Sequence, residues 1–228
     1  MTDRGSLLAR RNKQTRGQGR TAEFPRLLGE RLCLHFVNTI EGPLSHHPVD
    51  FLTGYVDLAR WTWHAGALEA ADADRLISLA ESQPSDAAAV FARALALRDA
   101  IERVLRRIAR SRSPHEGDVA RLQREFIAAL AKARLTASEN RYAWLWDPAR
   151  HDISKPLWLV TQSAVDLLTE GELSRIKECP GAGDCGWLFY DTSRNGTRRW
   201  CSMEGCGSRV KMRRQYARRR RGDRARPG

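Results

Sequence analysis

The chain has 228 residues and a mass of 25.8 kDa, with 42% hydrophobic and 29% charged residues, a balance that suits a packed core and excludes wholesale disorder. No stretch approaches the roughly 20 consecutive apolar residues of a bilayer span, and residues 1–20 hold no apolar run longer than Leu7-Leu8-Ala9, so a membrane protein and a secretory leader are not expected and a cytoplasmic setting is. The net charge of +12 lies at the two ends, +5 over residues 1–20 and +11 over residues 194–228, while the region between carries −4.

Residues 1–26, rich in Gly, Gln and Arg at their start, read as a basic disordered arm. Periodicity and end signals then place helices over residues 27–170. Leu27 to Ile40 sets Leu28, Leu32, Phe36 and Val37 near one face and stops before Gly42-Pro43. Asp50 is placed to cap a helix carrying Leu52, Val56, Ala59 and Trp63 that closes at Gly66. A third helix is expected from Ala70 to Ser82, and a long one from Asp86 to about Ser111 with Phe91, Leu95, Leu97, Ile101, Leu105 and Ile108 as its apolar positions. Ser113-Pro-His-Glu116 has the form of a capping box and opens a fifth helix through Arg134. Arg141-Tyr-Ala-Trp-Leu-Trp-Asp147 reads as a short strand and Ser154 to Thr169 as the last helix before Gly171. The expected fold is mainly α, with a minor β element in the helical domain.

Within that domain, Cys33, His35 and the pairs Trp61/Trp63 and Trp144/Trp146 read as core residues, and His46-His47 as exposed loop histidines. Asn38 and Arg98 are polar residues on largely apolar helices. They suit either helix-surface polarity or a small-molecule pocket in which Asn38 hydrogen-bonds a ligand and Arg98 pairs with its anionic group. No phosphate-cradling Gly-rich loop, nucleophile elbow or paired-carboxylate spacing occurs, so enzyme activity is not expected.

Four of the five cysteines, Cys179, Cys185, Cys201 and Cys206, follow the order C-x5-C-x15-C-x4-C. In a reducing compartment two close pairs of thiols suit one tetrahedral ion better than two disulfides, and zinc is the expected metal. Pro180, Gly181 and Gly183 allow the first pair its tight turn, and Gly205 and Gly207 flank the last ligand. All four positions being sulfur, none is kept for water and the ion is structural. Between the pairs, Trp187 to Asp191 reads as a strand, Ser193-Arg-Asn-Gly196 as a turn and Thr197 to Trp200 as the returning strand. Ser208 to Arg221, free of Pro and Gly, reads as a helix with Val210 and Tyr216 against the hairpin. Residues 171–221 thus form a small zinc module, treble-clef-like in its sequence of knuckle, hairpin, knuckle and helix, and residues 222–228 a disordered tail.

Such a basic end calls for a polyanion, with Arg194, Arg198, Arg199, Arg209, Lys211, Arg213, Arg214 and Arg218 as the candidate phosphate contacts. DNA is the first partner to consider. RNA is the second, with Trp187, Phe189 and Trp200 stacking on bases. A further reading makes the protein a small-molecule binder or enzyme that its basic module only localises to nucleic acid.

Arg175-Ile-Lys-Glu-Cys179, Asp184-Cys-Gly-Trp-Leu-Phe-Tyr-Asp191, Thr192-Ser-Arg-Asn195, Arg198-Arg-Trp-Cys-Ser-Met203 and Cys206-Gly-Ser-Arg209 closely resemble the CGNR-type zinc finger, with Ser208 where the family's name has Asn. Leu32-Cys-Leu-His-Phe-Val-Asn-Thr39 resembles the opening of the ABATE domain that usually precedes this finger, with His35 where an Asp is usual. The resemblance implies a bacterial, stress-related transcription regulator whose finger grips DNA while its helical domain senses an effector or forms a homodimer.

Overall fold

A short helix with no solvent face organises the fold. In the computed structural model, which describes residues 24–138, 141–146, 152–181 and 183–224, α1 (Leu32–Val37) buries every residue from Cys33 to Val37. A helix buried all round has to be enclosed; in chain order it is followed by β1 (Ile40–Glu41), β2 (Val49–Asp50), α2 (Tyr55–His64), α3 (Ala70–Ser82), α4 (Pro84–Ala109), α5 (Glu116–Leu130), β3 (Ala133–Ser138), β4 (Arg141–Trp146) and α6 (Lys155–Glu170), of which α4 and α6 pack directly on it. A 3-10 turn at Leu173–Arg175 leads to β5 (Ile176–Glu178) and β6 (Leu188–Tyr190), and a π turn at Met203–Gly207 leads into α7 (Ser208–Arg224). The fold is mainly α, with three two-stranded antiparallel sheets pairing β1 with β2, β3 with β4 and β5 with β6. No helix among the described residues is long and apolar enough to cross a membrane.

The 26 residues of α4 extend about 39 Å at 1.5 Å per residue, and this helix is the spine against which α1, α2, α3, α5 and β5 pack. Its buried side, from Val90 through Leu97, Ile101, Val104 and Leu105, meets Leu34, Phe36, Leu58, Trp61 and Leu157 in one core. Phe36 and Trp61 meet at 5.1 Å between ring centroids. Trp146 donates its indole N–H to Ala129 O at 2.8 Å and stacks on Trp158, which pins the β3–β4 hairpin to α5 and α6.

Helix α3 spans Ala70–Ser82, as its periodicity predicts; other boundaries move for identifiable reasons. The expected arm over residues 1–26 lies outside the described residues up to 23, but Phe24 is buried against His64, so the domain begins before residue 27. Residues 27–31 are not helical. Gly29 accepts the Tyr190 N–H, a Cβ on Gly29 would lie 2.7 Å from Leu34 Cβ, and Glu30 turns the chain at φ 68°. Asp50 caps no helix; its carboxylate takes Arg98 in a two-point ion pair at 2.8 and 2.6 Å. The capping box at Ser113 does not form, since α5 starts after His115 without a side-chain cap, and it ends at Leu130 because β3 pairs with β4. Trp144, expected inside, is about half exposed.

His35 is buried and its Nδ1 accepts the Gly29 N–H at 3.1 Å. Burial, with His64 nearby, lowers its pKa from 6.5 to about 4. The unfolded chain then binds a proton that the folded chain refuses, so stability present above pH 6.5 drains away as the pH falls toward 4, by on the order of 3 kcal/mol. His35→Gln, which keeps an acceptor for Gly29, is expected to flatten that loss in urea titrations run between pH 7 and 4. An unaltered pH dependence would contradict this assignment.

Candidate metal centre and nucleic-acid interface

The first knuckle is the tip of the β5–β6 hairpin. Cys179 N–H bonds to Trp187 O at 2.8 Å and Gly186 N–H returns to Cys179 O at 3.1 Å, so the ladder continues past the strands and curls around two sulfurs. Gly181 sits at φ +48°, and a Cβ there would lie 2.5 Å from Cys185 Cβ, so only glycine lets the turn close on its own ligand. The second knuckle is held by Ser202, whose hydroxyl accepts the Gly205 N–H at 3.1 Å and whose carbonyl accepts the Gly207 N–H at 3.0 Å.

These turns bring Cys179, Cys185, Cys201 and Cys206 together, all buried, with their sulfurs within 4.8 Å of one another. Cys185 to Cys201 and Cys201 to Cys206 are each 3.7 Å between sulfurs. A tetrahedron with Zn–S bonds of 2.3 Å has edges of about 3.8 Å, so the donor set fits one zinc ion. Without a shared cation the thiols are in conflict: hydrogen bonds from Cys185 and Cys201 push the Cys179 thiol down, while Cys179 pushes Cys185 up and both push Cys201 up. A central divalent ion resolves this by taking all four as thiolates. Four sulfurs leave no open coordination position, which defines a structural centre.

The expected returning strand, Thr197 to Trp200, is absent, and β6 pairs instead with β5. The backbone carbonyls after β6 go to side chains. Arg175 Nη1 donates to Asp191 O and Ser193 O, Lys177 Nζ to Gly196 O and Arg198 O, and Arg198 to Trp200 O and Cys201 O. The module therefore keeps the knuckle and the helix of a treble clef, but its hairpin carries the first knuckle rather than lying between the two.

Nor is the module separate from the helical domain. Ile176, Leu188 and Tyr190 belong to the main core, while Trp187 and Phe189 face the sulfurs. Asn38, the polar residue at the end of α1, donates to Leu188 O at 2.8 Å and accepts the Leu188 N–H at 3.0 Å, as a strand partner would. Trp187 donates its indole N–H to Ile40 O at 2.8 Å. Arg106 of α4 and Arg110, which caps its C-terminal end, both bind Glu178, and Arg106 also reaches Gly186 O at 3.0 Å. Asn38 thus clamps the finger and Arg98 holds Asp50 and Thr39; Asn38 also lines a cavity of about 140 Å³ together with Val37, Ile40 and Arg106.

The candidate phosphate contacts divide into two groups. Arg198 lies over the Phe189 ring at 4.8 Å, braces the second knuckle and pairs with Glu30 at 3.0 Å. Arg209 donates to the Cys206 sulfur at 3.2 Å and lies 3.6 Å from Asp184; the hydrogen bond to Cys206 raises its pKa. Ser208 ties the root of α7 to the knuckle through its hydroxyl, which donates to Met203 O at 3.0 Å. These residues make contacts at the metal centre, while Arg209 stays about half exposed. Arg194, Arg199, Lys211, Arg213, Arg214 and Arg218 are exposed. Lys211, Arg214 and Arg218 recur at i, i+3 and i+7 along one side of α7. Tyr216 is 66% exposed and packs on no hairpin, and α7 runs to Arg224, past the expected end at residue 221. Residues 225–228 of the expected tail lie outside the described residues. Trp187 and Phe189 are buried and offer no open face for stacking a base.

Fold and site together define a helical protein with a four-cysteine zinc module rooted in its core. Residues 175–219 match the CGNR zinc finger, and residues 30–171 match the ABATE domain, the family described as "Putative stress-induced transcription regulator". The chain belongs to this ABATE family and carries a CGNR zinc finger after its helical domain. No curated protein matches the chain.

Proposed function

We propose that this zinc-binding protein is a DNA-binding transcription regulator and not an enzyme, in which the zinc centre fixes the root of α7 and α7 presents its cations to the phosphate backbone. The observation that carries the reading is the stripe Lys211, Arg214 and Arg218. All three are exposed, and among the described residues none has an acidic partner. Four arginines of the helical domain behave differently: Arg93, Arg98, Arg103 and Arg106 each hold a carboxylate. The helical domain senses an effector or forms the dimer, and its clamps on the finger, through Asn38, Arg106 and Arg110, give it a route by which to reorient α7.

Titration of a duplex at several salt concentrations tests the reading. Wild type should bind with a steep salt dependence. Lys211→Ala/Arg214→Ala/Arg218→Ala should keep its zinc and lower the log–log salt slope by about 2.7, at roughly 0.9 for each phosphate no longer neutralised. An unchanged slope would overturn the assignment of α7, and tighter binding to single-stranded RNA than to duplex DNA would transfer the protein to RNA.

A further inference from the structure

The stretch from residue 103 to residue 112 holds five arginines, Arg103, Arg106, Arg107, Arg110 and Arg112, and no acidic residue, inside a region that is net negative overall. All five line one cleft of about 200 Å³ where α4 ends and α5 begins, together with Glu102 and His115. We infer that this cleft is a second phosphate-binding site, on the helical domain, and that it takes a backbone phosphate of the same nucleic acid that α7 engages. The inference rests on the nucleic-acid reading given above.

The helix macrodipole favours cations in the last turn of α4, but its effect fades within that turn, so it explains neither Arg103 before it nor Arg112 beyond it. Arg112 is brought back by the way the helix ends. Ser111 adopts φ 54°, the left-handed conformation that glycine usually fills at this position. Its N–H bonds to Ile108 O and the Arg112 N–H to Arg107 O, both at 2.8 Å, which folds Arg112 over the last turn. The nearby carboxylates are already committed: Asp118 to Arg103, Glu102 to Arg106, and Glu178 to Arg106 and Arg110. Arg107 spends its Nε on Ser113 O, and Arg112 has no side-chain partner among the described residues. Two guanidinium groups therefore face the cleft without an acid of their own, in the arrangement that suits a phosphate's oxygens.

Size and position decide what kind of phosphate. The cleft is smaller than the roughly 300–1,000 Å³ of pockets for drug-sized ligands, so it holds one phosphate group rather than a whole nucleotide. It also adjoins the first knuckle. Arg106 on its wall binds Gly186 O, and two residues earlier on the same loop Asp184 faces Arg209 at the root of α7. This loop therefore joins the cleft to the root of α7, and a duplex that lies along α7 and over the loop would reach the cleft.

The test compares wild type with Arg107→Ala/Arg112→Ala, two exposed or half-exposed positions whose loss breaks no ion pair among the described residues, under the same salt-dependent duplex titration. The expected result is a log–log slope lower by about 0.9, for the one phosphate no longer neutralised, with zinc content and thermal midpoint unchanged. An unaltered slope in a protein that binds duplex would overturn the inference. A parallel titration of both proteins with inorganic pyrophosphate, read by thermal shift, separates the sources of phosphate. Stabilisation of wild type alone, with no change in the duplex slope, would assign the cleft to a free phosphorylated ligand and overturn the nucleic-acid assignment. If wild type binds no duplex at all, the function proposed for α7 fails, and equal pyrophosphate responses of the two proteins would remove the phosphate site as well.

Discussion

Cys206→Ser is expected to abolish stoichiometric zinc binding and to melt the module from Asp191 to the end of α7, and dialysis of wild type against a chelator should do the same. The buried cluster beside the sulfurs consists of the four cysteines with Trp187 and Phe189, too little apolar surface to hold two knuckles and a solvent-exposed basic helix. Structural zinc contributes an apparent ~10–16 kcal/mol in comparable small modules, as much as the whole stability of an ordinary domain. Because β6 is shared with the main core, the damage should spread. Melting that reaches Leu188 removes both hydrogen bonds of the buried Asn38, worth about 1 kcal/mol each. A loss of about 2 kcal/mol lowers the thermal midpoint of a chain this size by roughly 4–8 °C. Elemental analysis and thermal melts of the metal-loaded, chelated and variant proteins provide the readings. An unchanged melt after complete removal of metal would show that the sulfurs do not hold the module together.

The parts of the protein that could be read from sequence are those whose cause is local. The four ligands stand out because two sulfurs on one ion require close spacing and small residues at the turn, and α3 stands out because its buried positions, Ala73, Leu76 and Ala80, recur at helical spacing within its own 13 residues. The misread segments answer to distant partners. Thr197 to Trp200 follows a turn and reads as a returning strand, but the carbonyls of the loop after β6 are taken by Arg175 and Lys177 from the far side of the first knuckle. Residues 27–31 have helical periodicity, yet Gly29 is needed as the acceptor for Tyr190. A tally of charge also cannot distinguish a cation with an internal acceptor, such as Arg198 or Arg209, from one without, such as Lys211, Arg214 or Arg218. Asn38 was legible as an anomaly, a polar residue on an apolar helix; its partner, the backbone of Leu188, lies 150 residues away. The run of arginines from Arg103 to Arg112 was legible in the same way, as five cations within ten residues, although helical periodicity draws the eye to the apolar positions between them.

Asp191→Asn is expected to cost about 3–5 kcal/mol, the penalty for breaking a buried ion pair and leaving one charge behind, although Asp191 touches neither the metal nor any surface. Its carboxylate is fully buried and receives Lys177 Nζ at 2.6 Å, the Ser193 hydroxyl at 2.6 Å and the N–H groups of Ser193 and Arg198 at 2.9 Å each. Burial pushes the pKa of this carboxyl up, but the hydrogen bonds from Lys177 and Ser193 outweigh it and hold the group far below the usual carboxylate range. Its contribution is therefore complete above the unfolded value near 3.9 and is lost only as the pH falls through the depressed folded value, so at neutral pH the substitution is felt in full. Asparagine keeps one acceptor oxygen, turns an amide N–H toward groups that are themselves donors, and leaves the Lys177 ammonium with only the carbonyls of Gly196 and Arg198. Since those contacts shape the approach to Cys201, zinc should also exchange faster in the variant. Replacing the exposed Glu172, whose pair with Arg175 is solvated, should cost no more than about 1 kcal/mol and serves as the control. Lys177→Met/Asp191→Asn should recover part of the loss, because it removes the stranded charge. Urea unfolding at pH 7, with zinc release followed in parallel, measures all three variants. A cost for Asp191→Asn as small as that of the Glu172 control would mean that the loop between the knuckles is held by the metal alone.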